Sequence, residues 1–258
     1  MSKKQEAVEE KQVAVAQTTA VTTPAAPQSG FGASDDIGAK DIKIERILLT
    51  QSMSKKVQTD EVGKGKLVIQ STLEELASHK DKTEMEFIAI KAMRYWVESD
   101  KDTKEFITRY PAIDPDELPW EEVRGARTIK RTYTHSFIVL LPKKIENMED
   151  MPMELAFRST NLDCAKAINM ILLNMKRKQL PSWKKVFKLK IDTKTKDTNT
   201  WYVTVPSISR DASEDEVRSA EEWAKILTTA KMKLDEGDDF GAGEGSNLPP
   251  LNQEEADY

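Results

Sequence analysis

Cysteine and histidine are almost absent from this sequence of 258 residues. Cys164 is the only cysteine, so no intramolecular disulfide can form and a secreted, disulfide-stapled fold is not expected. His79 and His135 are the only histidines, which leaves too few ligands for a zinc site. The sequence therefore predicts a protein of a reducing cytoplasm that carries no metal and no other cofactor.

Long apolar runs and a phosphate-binding loop are also missing. No segment approaches the roughly 20 apolar residues of a membrane-spanning helix, and the first residues lack a signal-peptide core. The glycines of residues 63–66 do not have the spacing of a nucleotide-binding loop. We therefore expect no membrane association and no nucleotide chemistry.

Catalytic constellations are equally scarce. Residues 111–122 hold five carboxylates, including Asp114 and Asp116, which keeps a two-metal nuclease as one hypothesis. Three prolines in the same segment indicate a surface loop, and no histidine stands beside a serine or cysteine as a triad requires. The sequence thus favours a protein that is not an enzyme.

Charge is divided unevenly along the chain. Residues 1–39 carry three basic and five acidic groups, residues 40–210 carry 32 and 25, and residues 211–258 carry four and 14. The regional charges are −2, +7 and −10, and such a basic body with an acidic tail is typical of interaction proteins. We predict a disordered N-terminal arm (1–39), a nucleic-acid-binding domain (40–210), a C-terminal helix (211–236) and a disordered acidic tail (237–258).

Residues 181–205 form the most informative stretch. Phe187, Leu189 and Ile191 alternate with lysines, which predicts a strand with one buried face, and Trp201 to Val205 predict its hairpin partner. We expect Trp201 in the buried register and Tyr202 on the lysine face, where a flat ring and positive charge suit nucleic acid. A solvated edge hairpin protected by lysines is the alternative.

The order of elements predicts the fold class. Several strands come first, a helix follows at residues 161–178, and the hairpin comes next. This order is that of an OB fold, so we predict a mainly β protein of the α+β class with an OB-like barrel, a helix before the last two strands and a further C-terminal helix. The first basic loop and residues 192–200 would flank the binding face. The expected nucleic-acid contacts are Lys55, Lys56, Lys64, Lys66, Tyr95, Arg127, Lys130, Arg131, Tyr133, Lys184, Lys188, Lys190, Lys194, Lys196 and Tyr202.

The C-terminus carries a family resemblance. It ends in EEADY after a glycine-rich spacer and Pro249–Pro250. An OB-type body followed by such a tail resembles the single-stranded DNA-binding proteins of bacteria and their phages, although the tail ends in tyrosine rather than phenylalanine. The resemblance implies a protein that coats single strands during replication and recombination in the host cytoplasm, with a homodimer as a further expectation. It also implies that the tail recruits replication proteins and competes with DNA, through Glu254, Glu255, Asp257 and Tyr258.

A second function class remains open at this point. A phage structural or assembly protein could use acidic ends to regulate association, and its basic face would then be merely solvated. Large regular assemblies without nucleic acid would favour that alternative.

Overall fold

Two long antiparallel strands form the backbone of the fold. They are β4 (Met85–Asp100) and β7 (Arg127–Leu140), which pair from Ile88 opposite Leu140 to Asp100 opposite Ile129. Both are rich in β-branched and aromatic residues, the types that fit a pleated surface. At the Ile88 and Leu140 end, the pair is flanked by β9 and β8. At the Asp100 and Ile129 end, it is flanked by the short strands β5 and β6.

The computed structural model describes residues 43–52, 54–112, 114, 116–229 and 233–234. These residues belong to a compact unit that spans residues 37–258. The predicted N-terminal arm and acidic tail lie outside the described residues.

The other strands are β1 (Lys43–Leu49), β2 (Lys66–Ile69), β3 (Glu75–Ser78), β5 (Phe106–Pro111), β6 (Glu121–Arg124), β8 (Met153–Arg158), β9 (Lys185–Lys196), β10 (Asn199–Asp211) and β11 (Lys233–Leu234). The helices are α1 (Lys55–Gln58), α2 (Pro142–Glu146), α3 (Leu162–Arg177) and α4 (Glu214–Thr229).

The strands form one open mixed sheet. Its order is β10-β9-β4-β7-β8-β1-β2-β3, with β5 on β4, β6 on β7 and β11 on β1. The β1–β8 and β1–β11 pairs are parallel, and the other pairs are antiparallel. The α+β prediction is confirmed, whereas the OB barrel is not what forms, because no backbone ladder closes β3 onto β10.

Side chains connect the two ends of the open sheet instead. The His79 ring, just after β3, lies with Nδ1 3.2 Å from the Ile191 carbonyl oxygen of β9. The Gln51 amide donates to the Tyr202 carbonyl oxygen at 2.7 Å and accepts from the Tyr202 N–H at 3.0 Å. These contacts hold the β9–β10 ribbon against the β1–β3 end without adding it to the ladder.

Each face of the sheet packs against one long helix. On the inner face, Phe87, Phe137 and Phe187 pack with Ala165 and Ile168 of α3. Burying each aromatic side chain stabilises the fold by roughly 1.5–3 kcal/mol. The helix matches the predicted bounds to within one residue at each end.

The outer face packs against α4. Ile44, Ile88 and Ile138 contact Ala220 and Leu227 there. The predicted capping box is present, since the Ser213 N–H donates to Glu216 Oε2 at 2.7 Å and the Glu216 N–H donates to Ser213 Oγ at 3.3 Å.

A charged network is buried on the outer face. Arg46 of β1 donates from Nε and Nη2 to Glu154 Oε2 at 3.0 and 2.8 Å, while Ser136 and Tyr95 donate to Glu154 Oε1. Burial alone would raise the pKa of Glu154, but the guanidiniums of Arg46 and Arg109 outweigh it and hold the pKa at about 2. Glu154 is therefore ionised at neutral pH.

Candidate nucleic-acid interface

The turn between β9 and β10 decides which side chains share a face. It has two residues, because Lys196 pairs directly with Asn199. Directly paired residues of antiparallel strands point to the same side of the sheet. Lys194 pairs with Trp201 and Lys190 with Val205, whereas Tyr202 pairs with Thr193. The lysines therefore share their face with Trp201, and the predicted assignment of Trp201 and Tyr202 to the two faces is wrong. We call this surface the basic ribbon face: Lys188, Lys190, Lys194, Lys196, Trp201 and Val205.

The lysines of this face have only surface ion pairs. Lys190 and Lys194 keep 60% and 52% of their side-chain area exposed, with Nζ 3.9 Å from Asp192 and 3.6 Å from Asp163. Lys188 Nζ lies 2.9 Å from Glu84. Such pairs contribute at most about 1 kcal/mol and weaken with salt. Replacing these ion pairs by contacts between the lysines and phosphate groups therefore costs little free energy.

Trp201 and Val205 give the same face an apolar component. The Trp201 side chain is partly exposed, and Val205 is exposed although it lies in a strand. The indole Nε1 is buried without a hydrogen-bond partner, so only part of the ring is open to solvent. A partly exposed indole on a lysine face offers the two features that single strands need, ring surface for base stacking and charge for the phosphates.

Tyr202 is partly buried, like Trp201, and contributes to the packing of the ribbon against the core. Its ring packs against the inner core and meets the His79 ring edge-on, with centroids 5.4 Å apart. Gly65, with φ of +73°, lies so close that an added Cβ would be 2.6 Å from Tyr202 Cε1. Tyr202 thus makes a structural contact on the face opposite the lysines, and its predicted contact with nucleic acid stays a prediction.

The first basic loop contacts the ribbon at Tyr202, because an added Cβ on Gly65, between Lys64 and Lys66, would lie 2.6 Å from the Tyr202 ring. That this loop and residues 192–200 flank a nucleic-acid face stays a prediction. The lysines of the loop differ in availability. Lys64 is exposed, Lys56 donates to the Gln70 carbonyl oxygen at 2.5 Å, and Lys66 pairs with Glu75. Lys55 lies in α1, and its side chain is outside the described set. Lys64 is thus the most available of the described lysines of this loop, but the loop meets the ribbon on the Tyr202 side and not on the basic ribbon face.

Three predicted nucleic-acid contacts in the β4–β7 pair are buried. Tyr95 is fully buried with its hydroxyl donating to Glu154, and Tyr133 is buried with its ring 5.3 Å from that of Trp96. Arg131 is buried and donates from Nε to Glu98 at 2.8 Å. The prediction that these residues contact nucleic acid is contradicted by their burial. The cause is that β5, β6 and the loop before β6 cover this half of the β4–β7 pair.

Arg127 and Lys130 are exposed but distant from the ribbon. Lys130 pairs with Ser99 near the end of β4, whereas β9 joins β4 at Met85–Phe87. Twelve residues of strand separate these points, about 40 Å at 3.3 Å per residue. Lys184 is exposed in a 3₁₀ turn just before β9 and lies nearer to the ribbon face.

A polar cluster that no local sequence pattern indicates lies where α3 meets β7. The Asn169 amide donates to His135 Nδ1 at 3.1 Å, and His135 Nε2 lies 3.2 Å from the Tyr133 hydroxyl. Burial, with the charges of Arg94 and Lys166, lowers the pKa of His135 to about 4. The ring is neutral at physiological pH, so the positive charge here comes from the Arg94 and Lys166 side chains. Asn169 and His135 are 34 residues apart in the sequence, and they meet only because α3 packs against β7.

The comparison with protein families gives one match. A family described as Pam3 phage gp34-like protein matches residues 10–233, most of the chain. The chain belongs to this phage family. No curated protein and no solved structure matches the chain. The match spans the strands from β1 to β10 and all four helices.

The described part of the chain shows no metal-binding cluster. No group of three or more histidine, cysteine or acidic residues is arranged there to hold an ion. Burial raises the pKa of the Cys164 thiol to about 12, so this side chain is no nucleophile at neutral pH. None of the described helices is long and apolar enough to cross a membrane. The predicted tail contacts Glu254, Glu255, Asp257 and Tyr258 lie outside the described residues.

Proposed function

We propose that this protein binds single-stranded DNA during phage replication or recombination, through the basic ribbon face. The observation that carries the proposal is the β9–β10 register, in which Trp201 pairs with Lys194 and shares a face with Lys190 and Lys188 further along the ribbon. The phage family membership is consistent with this role. The proposal includes no catalytic step.

The stacking part of the proposal rests on Trp201. Trp201→Ala is expected to weaken binding to oligo-dT by about 5- to 150-fold, the loss of one stacked base at roughly 1 to 3 kcal/mol. Fluorescence anisotropy with a labelled oligonucleotide measures the affinity, and thermal melting checks that the variant is folded. Trp183→Ala is the matched control, because Trp183 is also partly buried but lies before β9 and donates to Glu221 at 3.3 Å. Equal affinities for wild type and Trp201→Ala would exclude this face as the binding site.

The phosphate part rests on the lysines. Replacing Lys190 and Lys194 by alanine is expected to reduce the slope of log K against log salt by about 0.7 for each lost phosphate contact. The control replaces Lys143 and Lys176, two exposed lysines outside the basic ribbon face. If all variants share one slope, the lysines of the ribbon do not contact phosphates. If wild type fails to bind at low salt and forms large assemblies, the structural or assembly role is favoured instead.

The acidic tail provides a further test of the same proposal. Residues 237–258 hold acidic groups and no basic ones. If the tail competes with DNA for the basic ribbon face, its deletion should tighten oligo-dT binding at low salt, and the gain should fade as salt screens both interactions. An unchanged affinity would remove competition from the proposal and leave only partner recruitment for the tail.

A further inference from the structure

The carboxylate of Asp163 joins the basic ribbon face to helix α3. It lies in the first turn of α3, with Oδ2 3.6 Å from Lys194 Nζ and Oδ1 4.0 Å from Lys166 Nζ. All three side chains are more than half exposed, at 74%, 52% and 71%. Surface ion pairs of this length contribute little to stability. The two lysines therefore stay available, and one anion can reach both of them, as the Asp163 carboxylate already does.

The start of α3 holds the ribbon and the β4–β7 pair in a fixed relation. Asn161, just before the helix, accepts at Oδ1 from the Thr204 N–H of β10 at 2.9 Å, and Thr204 is buried. Leu162 packs against Trp96 and Tyr133 in the β4–β7 pair. The same turn of helix thus contacts both parts of the sheet. A ligand that spans them therefore has little conformational freedom to remove.

A second basic group continues from Lys166 along the helix. Burial lowers the pKa of His135, and the charges of Arg94 and Lys166 both add to this shift, so the two cations lie near the same ring. Asn169, one turn after Lys166, donates to His135 Nδ1 at 3.1 Å. Arg94 is exposed and lies directly opposite His135 in the β4–β7 ladder. Basic side chains therefore extend from the ribbon through Lys166 to Arg94.

We propose that the DNA strand continues from the basic ribbon face over the start of α3 to Lys166 and Arg94, and that a phosphate displaces the Asp163 carboxylate from its two lysines. This inference rests on the proposed function and gives the path of the strand beyond the ribbon. Three basic side chains on this path face two acidic ones, Asp163 and Asp114, the latter acting on Tyr133. Phosphates thus meet a positive surplus, and Asp163 is a built-in competitor that limits affinity.

Asp163→Asn tests the competitor, because it removes the charge and keeps the size of the side chain. We expect oligo-dT binding at low salt, measured by fluorescence anisotropy, to become about 2- to 5-fold tighter, the range for one surface charge contact. Asp215→Asn is the matched control, since Asp215 also lies in a first helical turn, is 80% exposed and pairs with the basic residue three positions on, Arg218. It changes the net charge equally and should leave the affinity nearly unchanged. Equal gains from the two substitutions overturn the role of Asp163.

The basic side chains give a second readout. Lys166→Ala and Arg94→Gln are each expected to reduce the slope of log K against log salt by about 0.7, the value for one lost phosphate contact on a single strand. Lys166 is 71% exposed, so Lys166→Ala decides the test if Arg94→Gln lowers Tm. Asp163→Asn should also tighten binding less in the Lys166→Ala background, because one of the two lysines that it releases is then missing.

The same measurements separate this inference from the proposed function. A reduced slope for the Lys190 and Lys194 variant, with a wild-type slope for Lys166→Ala and Arg94→Gln, overturns the path over α3 and leaves the proposed function standing. Failure of the wild-type protein to bind oligo-dT overturns both. Reduced slopes on the ribbon and on α3, together with tighter binding by Asp163→Asn, support one continuous path.

Discussion

Replacing Glu154 by glutamine is expected to lower the free energy of unfolding by about 3 to 5 kcal/mol, because the change leaves buried guanidiniums without their counter-charge. Glu154 is fully buried and is the hydrogen-bond acceptor for Arg46, Tyr95 and Ser136. The amide keeps the shape of the side chain, but its nitrogen cannot accept any of these bonds. Urea denaturation of the two proteins gives the difference directly.

A surface carboxylate provides the control for this prediction. Glu75 pairs with Lys66, and both side chains are about one third exposed. Glu75→Gln is expected to change the free energy of unfolding by less than about 1 kcal/mol. If Glu154→Gln costs no more than Glu75→Gln, the buried network does not hold β1, β8, β7 and β4 together.

The same carboxylate determines a pH dependence. The pKa of Glu154 is about 2 in the folded protein and near 4.5 in an unfolded chain. A group whose folded pKa is depressed stabilises the protein above the unfolded value, and this contribution is lost as the pH falls toward the folded value. Wild type should thus lose roughly 3 kcal/mol more than Glu154→Gln between about pH 5 and pH 2. Parallel curves of stability against pH for the two proteins would contradict the assignment.

Local sequence signals predicted α3 and the start of α4, but the helix predicted over residues 211–236 ends at Thr229, and Lys233–Leu234 form β11 instead. The apolar spacing of residues 161–178 and the capping pair Ser213 and Glu216 depend on neighbours within one or two turns, so they are readable without the fold. The open sheet depends on pairings such as Arg46 with Glu154, which are 108 residues apart. No local pattern encodes such a pairing. A glutamate inside the apolar strand of residues 153–158 was the signal that this segment holds a buried charge partner.

The misassigned face of the hairpin has a simple geometric cause. A two-residue turn at residues 197–198 pairs odd-numbered residues of β9 with even-numbered residues of β10. Phe187, Leu189 and Ile191 therefore share their side with Tyr202 and Thr204, not with Trp201. The alternation within each strand was predicted, but the relation between the two strands depends on the turn length, and a one-residue change reverses it. Residues 192–200 are all polar, so they resemble a loop in the sequence, and the length of the turn cannot be read from them.

The burial of both Tyr95 and Trp96 shows a second limit of predicting exposure from the alternation of residues along a strand. Adjacent residues of a strand point to opposite faces, so both are buried only where both faces are covered. Here the loop before β6 covers the Trp96 side, where Leu118 packs. A run of aromatic and apolar residues indicates two covered faces, but not which segments cover them.

Gly65→Ala is expected to lower the free energy of unfolding by about 2 to 4 kcal/mol, because it combines backbone strain with a steric clash. Gly65 has φ of +73°, a region that side chains disfavour, and the new Cβ would lie 2.6 Å from Tyr202 Cε1. Its backbone cannot move freely, since Gly65 N–H donates to the Thr50 carbonyl oxygen at 2.9 Å and His79 N–H donates to the Gly65 carbonyl oxygen at 2.9 Å.

Gly125 separates the two contributions to this effect. It has a similar φ of +65°, but an added Cβ would meet nothing within 4 Å. Gly125→Ala should therefore cost only the backbone strain, about 1 to 2 kcal/mol, and the difference between the two alanine variants measures the contact with the Tyr202 ring. Chemical denaturation of Gly65→Ala, Gly125→Ala and Gly65→Ala with Tyr202→Leu tests this, and the smaller side chain should recover part of the loss.

Because Tyr202 and Trp201 are adjacent on β10, displacement of the Tyr202 ring should also move the basic ribbon face and weaken oligo-dT binding. Equal costs for the two glycine substitutions would mean that Gly65 is required only for its backbone conformation and that the ribbon is held by Gln51 and His79 alone.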